Sequence, residues 1–213
     1  MRFLTLILCL FAGTASADIT GTIRVVDGDT FAIGDARIRL FGIDAPENGQ
    51  PCADAQGRTF DCGDWVTTQV AARYQGQRGT CAEIEKDRYN RSVATCTVAG
   101  EDVGTWIVSE GFAWAFTRYS DAYSLDEKSA AVALRGIWAF DIENPATFRA
   151  IEAAAPAPTG SCVIKGNISG SGHIYHLPHN RDYGRTRINE GKGERWFCTE
   201  EEAQSAGWRA ARN

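Results

Sequence analysis

The sequence lacks two features that would define its partners at once, an excess of positive charge and a long apolar segment. Its 22 Lys and Arg residues are outnumbered by 27 Asp and Glu residues, and the formal net charge is −5. A chain of this charge has no general affinity for polyanions, so any attraction to nucleic acid would come from local arginines or bound cations. The apolar run near the N-terminus is too short to anchor the chain in a membrane.

That run belongs to MRFLTLILCLFAGTASA, which has one basic residue, an apolar centre and a small-x-small ending. The pattern predicts a secretory signal peptide over residues 1–17 with cleavage before Asp18. Cys9 lacks the small residues that usually precede a lipidated cysteine, which argues against a lipoprotein. We therefore expect a periplasmic or secreted monomer that has no membrane attachment after cleavage.

Cysteine usage agrees with export, because an even set of six remains once Cys9 is removed. In an oxidising compartment such a set indicates disulfides, although the sequence alone allows many pairings. Local spacing favours a short loop, a cross-strand bond in a hairpin from residue 80 to residue 98, and a bond within the C-terminal part. The corresponding pairs are Cys52 with Cys62, Cys81 with Cys96, and Cys162 with Cys198.

The segment EAAAPAPTGS, from Glu152 onwards, is the only clear linker, because alternating Ala and Pro cannot build a core. We expect a main domain at 18–151, a linker at 152–160 and a small module at 161–213. A module of that size normally needs a covalent cross-link. Residues 18–159 hold 13 basic and 21 acidic side chains, whereas residues 160–213 hold 8 and 6.

The main domain reads as strands followed by helices. ITGTIRVVDG, DTFAIG and ARIRLFGI are short, β-branched and bounded by Gly or Asp, which predicts three consecutive strands. CGDWVTTQVAARY has helical spacing, and TCAEIEK and SVATCTV flank the polar turn DRYN as a second hairpin. Two helices follow, one with Val103, Trp106 and Ile107, and one that runs from Ala130 through Leu134 to Trp138. This order predicts an α+β fold built on a five-stranded barrel of the oligonucleotide-binding type.

Two carboxylates come from separate parts of this predicted barrel. Asp29 follows the turn Asp27-Gly28, and Asp44 ends the third predicted strand, so an antiparallel arrangement can bring both to one end of the barrel. Two carboxylates, a backbone carbonyl and water form a site for a hard cation such as calcium. The alternative is that DGD is only a hairpin turn.

Further charged residues lie near this pair. Pro46 restrains the chain between Asp44 and Glu47, and a carboxylate beside a cation can take a proton from an attacking water. The alternative is an ordinary Pro turn with a solvated Glu. Arg37 and Arg39 share one strand face, and a guanidinium there could reach a phosphate through two parallel hydrogen bonds.

The turn DRYNR adds a further guanidinium at Arg91 and an aromatic ring at Tyr89. Arginine stays charged at any working pH, and its planar fork fits a phosphate group. Taken by itself, Arg91 fits a solvated turn residue equally well.

In combination, VVDGDT, RIRLFGIDAPE, DRYNR and GIW closely resemble the staphylococcal (micrococcal) nuclease family, over roughly residues 19–138. The resemblance implies a barrel of the oligonucleotide-binding type and calcium-dependent hydrolysis of DNA and RNA that leaves 3′-phosphate ends. By position, it makes Glu47 the general base and Arg39 and Arg91 the phosphate clamps. The remaining implied roles are metal ligation by Asp29, Asp44 and the Ala45 carbonyl, support of the ligands by Asp27, and nucleotide binding by Tyr89 and Tyr119.

Two positions depart from the family pattern. Ala45 stands where the founding nuclease has Thr, so a hydroxyl is absent although a backbone ligand is retained. Asn90 replaces the usual Gly before Arg91, and Asn tolerates a left-handed backbone better than other non-Gly residues. For Tyr89 and Tyr119, packing in the core or on the surface is an alternative to nucleotide binding.

The C-terminal module contains a capping box in which Thr199 is followed three residues later by Glu202. His173, His176 and His179 near two cysteines suggest zinc, but Pro178 and a β-prone sequence favour a Cys162 to Cys198 disulfide with ordinary histidines. The segment resembles a small sunset-like module that is often appended to bacterial nucleases. Its cations and aromatic rings form either a nucleic-acid patch or a solvated face; they are Arg181, Arg185, Arg187, Lys192, Arg195, Tyr175, Tyr183 and Trp196.

The sequence therefore predicts an exported, calcium-dependent nuclease that acts on DNA and/or RNA. A binding module that has kept the barrel but lost its chemistry is the main alternative, and a disulfide-rich interaction protein with structural calcium is a third. Retention of all five key residues favours the enzyme; they are Asp29, Arg39, Asp44, Glu47 and Arg91.

Overall fold

The computed structural model describes residues 18–154, 162–170, 172–184, 186–188, 190 and 193–212. The predicted signal peptide and positions 155–160 of the predicted linker lie outside these residues. Within the described part of the chain, no helix is long and apolar enough to cross a lipid bilayer.

The main domain has ten short strands and four α-helices. The strands are β1 (Ile19–Asp27), β2 (Thr30–Ile33), β3 (Ala36–Leu40), β4 (Ile43–Asp44), β5 (Pro51–Ala53), β6 (Thr59–Asp61), β7 (Arg78–Lys86), β8 (Ser92–Val98), β9 (Glu101–Asp102) and β10 (Trp114–Ala115). The helices are α1 (Cys62–Tyr74), α2 (Val103–Ser109), α3 (Ser124–Val132) and α4 (Pro145–Ala154). A 3₁₀ turn occupies Gly136–Ala139.

Five of these strands close into a barrel. β2 pairs with β1 and β3, β7 pairs with β1 and β8, and a parallel pairing between β3 and β8 completes the ring. Ile23, Phe31 and Ile38 are fully buried inside it, and α1 adds Val66 and Val70 to the same core. The predicted five-stranded barrel with helices is thus confirmed.

All three predicted disulfides are present. Cys52 and Cys62 join the β5–β6 hairpin to the first residue of α1. Cys81 and Cys96 are direct cross-strand partners in the β7–β8 hairpin. The third bond, between Cys162 and Cys198, cross-links the C-terminal module.

One predicted helix is wrong in its extent. We expected a single helix through Ala130, Leu134 and Trp138, but α3 ends at Val132 and Leu134 has a positive φ of 51°. The chain turns there because Gly136 packs against Gly111 so closely that a Cβ on Gly136 would overlap the Gly111 carbonyl. The Ile137 amide donates to that carbonyl at 2.8 Å, which starts the 3₁₀ turn.

Helix α4 was not predicted, although its start carries a recognisable signal. The Asn144 side chain accepts a hydrogen bond from the Ala146 amide at 2.9 Å, and Pro145 occupies the first helical position. Asn at the cap followed by Pro is a typical helix start. The helix continues to Ala154 and so includes the first three residues of the predicted linker.

In its described residues, the C-terminal module is a small sheet with one α-helix. Its elements are β11 (Ile164–Ser169), β12 (Gly172–His176), β13 (Arg195–Phe197), α5 (Glu200–Ser205) and β14 (Arg209–Ala210). The strand order is β13-β11-β12-β14, and Phe197 and Trp208 lie in its core. The predicted cap is confirmed, because the Thr199 hydroxyl accepts from the Glu202 amide at 3.1 Å.

Candidate active site

A tight turn brings Asp29 and Asp44 to the same end of the barrel. Gly28, between β1 and β2, sits against β4 and α1: a Cβ on it would lie 2.7 Å from Ala45 Cβ and 2.8 Å from Val66 Cγ1. Only glycine therefore permits this approach of the turn to Ala45. As a result, the Asp29 carboxylate reaches β4 and accepts a hydrogen bond from the Ala45 amide at 3.2 Å.

Arg39 joins the two carboxylates. Its Nη2 lies 3.1 Å from Asp29 Oδ2 and 2.8 Å from Asp44 Oδ1, so one nitrogen contacts both acids. Asp29 and Asp44 are 6% and 2% exposed, and buried carboxylates require a positive partner. The charge of Asp29, opposed by burial and assisted by Asp44, raises the pKa of Arg39 above its usual value.

Asp27 lies at the other side of the same turn. Its Oδ1 accepts a hydrogen bond from the Asp29 amide at 3.1 Å, so it helps to fix the turn. Burial, followed by repulsion from the Asp29 charge, raises the pKa of Asp27 to about 7. The Asp27 side chain thus contacts the backbone of Asp29 within the same turn.

Glu47 is held by two residues that the sequence analysis did not select. The fully buried Gln50 side chain accepts a hydrogen bond from the Glu47 backbone amide through Oε1 at 3.0 Å. The Gln50 backbone amide in turn donates to the Glu47 carbonyl oxygen at 2.9 Å. Gly63, in the first turn of α1, packs so tightly that a Cβ would overlap the Glu47 carbonyl. The backbone of Glu47 is therefore fixed, while its side chain remains 37% exposed.

Arg91 forms its ion pair outside this group. Among the described residues, its partner is Asp87, with Nε to Oδ2 at 2.7 Å. Asn90 adopts the expected left-handed backbone with φ of 61°, and its amide donates to the Asp87 carbonyl, so the turn is retained despite the missing glycine. Burial alone would raise the pKa of Asp87, but hydrogen bonds from the backbone and side chain of Arg91 and from the Tyr89 amide together lower it.

The two predicted nucleotide-binding tyrosines are both at the surface. Tyr89 is 43% exposed beside Arg88, whose guanidinium carbon lies 4.8 Å from the ring centre. Tyr119 is 61% exposed and packs one side against Phe116. Neither ring is part of the core, which leaves both accessible to a ligand.

A second guanidinium, that of Arg149 on α4, contacts the acids of the site. Its Nη1 and Nη2 lie 3.0 Å and 2.9 Å from the two Asp44 oxygens, and Nη1 is also 2.7 Å from Glu47 Oε1. Burial disfavours its charge, but the hydrogen bonds to Asp44 and Glu47 prevail and raise its pKa. Arg149 was not predicted as a site residue, because it lies 105 positions beyond Asp44 in the sequence.

The donor set fits a hard cation better than a soft one. The buried Asp29 and Asp44 carboxylates both reach Arg39 Nη2, so their oxygens lie close together, and oxygen donors suit calcium. Across the part of the chain that the structure describes, no group of three or more His, Cys, Asp or Glu side chains is arranged to hold a metal. A cation at this point would therefore need backbone or water oxygens in addition to Asp29 and Asp44.

The C-terminal module does not form the whole predicted patch. Tyr175 is 2% exposed and donates to Glu200 at 2.9 Å, so it cannot stack on a ligand. Lys165, between Tyr183 and Trp196, donates to two backbone carbonyls. Arg185 and Lys192 lie outside the described residues. His173 is stacked on Trp208, and His176 is hydrogen bonded to Asn167.

Comparison with known proteins gives the family. The family model described as staphylococcal nuclease homologue matches residues 37–140. An uncharacterized endonuclease of Escherichia coli O157:H7 is 32% identical over 146 residues, which cover 64% of this chain and 89% of the relative. This chain belongs to the staphylococcal nuclease family.

Two further relatives of this chain are similar to it over most of their own length. The micrococcal nuclease of Shigella flexneri is 32% identical over 143 residues, 58% of this chain and 76% of the relative. The succinoglycan biosynthesis protein ExoI of Rhizobium meliloti (strain 1021) is 34% identical over 140 residues, 63% of this chain and 72% of the relative. The predicted family is confirmed, and with it the class of enzyme, a hydrolase of phosphodiesters.

Proposed function

We propose that this nuclease is exported and hydrolyses phosphodiester bonds of DNA and/or RNA with calcium as cofactor. The observation that supports the proposal most is that one guanidinium nitrogen of Arg39 contacts both Asp29 and Asp44. Glu47 lies beside this group, because Arg149 contacts it together with Asp44. A buried pair of acids, here one from the β1–β2 turn and one from β4, costs stability, and such pairs are typical of sites that bind charge.

The residues that would hold calcium are Asp29, Asp44 and the carbonyl of Ala45. Calcium bound there would supply positive charge opposite the phosphoryl oxygens. The loss of the Thr hydroxyl at position 45 is compatible with this role, because only the backbone oxygen is needed.

Glu47 is the proposed general base. Its carboxylate is partly exposed, so it can reach a water molecule, while Gln50 and Gly63 hold its backbone in place. A base in this position takes the proton as the water attacks phosphorus in line with the leaving oxygen. Arg39 and Arg91 are the proposed clamps that bind charge growing on the non-bridging oxygens.

Export is supported by the three disulfides, since such bonds persist in oxidising compartments. A periplasmic or secreted location fits them equally well. The substrate then reaches a site whose surroundings are acidic overall, so we expect binding that depends on the cation and weakens with salt.

The test is a cleavage assay on single-stranded DNA, double-stranded DNA and RNA with oxidised residues 18–213. Calcium, magnesium and a calcium chelator are compared at constant ionic strength. The proposal expects cleavage with calcium and none with the chelator. Folded protein that binds DNA but cleaves nothing under any condition would contradict it and support a binding module.

A further inference from the structure

Arg149 binds the same two acids that the proposed chemistry uses. Its guanidinium contacts both oxygens of Asp44 in a bidentate pair and one oxygen of Glu47. Asp44 is almost completely buried, and its Oδ1 also accepts a hydrogen bond from Arg39 Nη2 at 2.8 Å. Every carboxylate oxygen of Asp44 is thus hydrogen bonded to an arginine.

Arg149 ties helix α4 to the site through its hydrogen bonds to Asp44 and Glu47. Among residues 145–152, Pro145 is the one buried side chain, and Phe148 and Arg149 are partly buried. The segment before α4 is tied to the Glu47 loop, because Gln50 Nε2 donates to the Glu143 carbonyl at 2.6 Å. Gln50 therefore holds the chain just before α4, and Arg149 holds the next turn of the helix.

A cation and this guanidinium compete for the same lone pairs. A divalent ion bound to Asp44 would face the positive charge of Arg149 across a hydrogen-bond distance, and like charges so close repel strongly in a buried setting. Glu47 has a related conflict, because its Oε1 accepts a hydrogen bond from Arg149 Nη1 at 2.7 Å in the place where an attacking water would bind. Both conflicts end if Arg149 leaves the acids.

We propose that Arg149 is a latch: it occupies Asp44 and Glu47 in the metal-free protein and is displaced when calcium binds. The latch rests on the proposed function, since it requires calcium to bind at Asp44. It neutralises the buried acids while the cation is absent and holds the base inactive until the cation arrives. It also couples the position of α4 to the cation.

The chain offers matched variants that separate a latch from a simple charge effect. Arg149→Gln removes both the charge and the fork. Arg149→Lys keeps the charge but loses the bidentate geometry, which lysine cannot reproduce. Arg37→Gln removes a positive charge from exposed Arg37, two residues from Arg39, without breaking any ion pair of the latch.

Calcium affinity is measured by calorimetry on oxidised residues 18–213. If the latch is closed about nine-tenths of the time, its removal lowers the apparent Kd for calcium about tenfold. Both Arg149→Gln and Arg149→Lys should show this gain, whereas Arg37→Gln should change the Kd less than about twofold because solvent screens an exposed charge. Equal affinity in Arg149→Lys and wild type would overturn the latch in favour of a charge effect.

Hydrogen exchange provides a second readout that needs no variant. Calcium should accelerate the exchange of α4 amides in the wild-type chain, because displaced Arg149 no longer holds the helix. Slower or unchanged exchange in α4, with calcium bound, would overturn the latch and leave the calcium site intact. Calorimetry that detects calcium binding in no variant would instead overturn the metal assignment, and with it the latch.

Discussion

Gly63 and Glu47 are packed so closely that a methyl group on Gly63 would overlap the Glu47 carbonyl oxygen. The first turn of α1 therefore packs directly against the backbone of the proposed base. Because this contact is between two backbones, neither side can move without shifting α1 or the loop. Glu47 can occupy its position only because residue 63 is glycine. Gly63 follows Cys62, whose disulfide to Cys52 holds the first turn of α1.

Gly63→Ala is expected to displace Glu47 and lower both stability and turnover. Overpacking of this kind costs about 1–3 kcal/mol of unfolding free energy. Denaturant unfolding and the cleavage rate with calcium are the measurements. Gly170→Ala is the matched control, since nothing lies within 4 Å of a Cβ at that position. Equal effects of the two substitutions would contradict the proposed packing role.

Gln50→Leu should loosen the Glu47 loop without changing its volume greatly. The substitution removes two part-buried hydrogen bonds, one from the Glu47 amide and one to the Glu143 carbonyl, and each such bond contributes about 0.5–1.5 kcal/mol. We expect lower stability and a lower cleavage rate, measured as above. Exposed Gln56 supplies the control, and Gln56→Leu should behave like wild type. A Gln50→Leu protein as stable and active as wild type would disprove the role of Gln50.

Removing the Cys52–Cys62 disulfide should affect the nuclease site, whereas removing Cys162–Cys198 should not. The first bond closes a short loop next to Glu47, and loss of such a bond costs about 3 kcal/mol. We therefore expect the Cys52→Ser, Cys62→Ser double variant to lose thermal stability in the main domain and to cleave more slowly. The Cys162→Ser, Cys198→Ser variant should retain the wild-type turnover. Equal losses of turnover in both would show that the module supports catalysis.

Arg39→Lys should reduce turnover by about 10²-fold, as expected when one donor to the transition-state charge is lost. Lysine places a single ammonium where the guanidinium both holds the acids and presents a planar fork. Steady-state kinetics on single-stranded DNA would measure the effect. Arg37→Lys, on the same strand, is the comparison and should have a small effect. Similar kinetics for both variants would remove Arg39 from the proposed clamp.

The barrel was predictable because short, contiguous stretches of sequence indicate its strands and turns. The strands around Ile23, Phe31 and Ile38 carry β-branched residues between turn signals, and α1 was predicted from Cys62 to Tyr74, as observed. The cross-strand bond between Cys81 and Cys96 follows from the hairpin register. Local pattern and chain order therefore determined most of the main domain.

The site was predictable only where its residues sit in short motifs. Asp29, Asp44 and Glu47 lie within one segment, but Arg149 reaches them from a helix with few buried positions. The pattern of apolar residues in α4 does not indicate which residues Arg149 contacts, because its ion pairs are with Asp44 and Glu47, far away in the sequence. The helix break at Leu134 escaped prediction for a related reason, since it depends on the contact between Gly136 and Gly111.

The most direct test of the central claim is the cleavage of single-stranded DNA by wild type and Glu47→Gln, with calcium and with a chelator. Circular dichroism and the unfolding midpoint establish that both proteins are folded. Loss of a general base slows such a reaction by about 10²–10⁴-fold, so Glu47→Gln with calcium should approach the wild-type rate in chelator. Wild-type cleavage by folded Glu47→Gln, or cleavage that persists in chelator, would contradict the account.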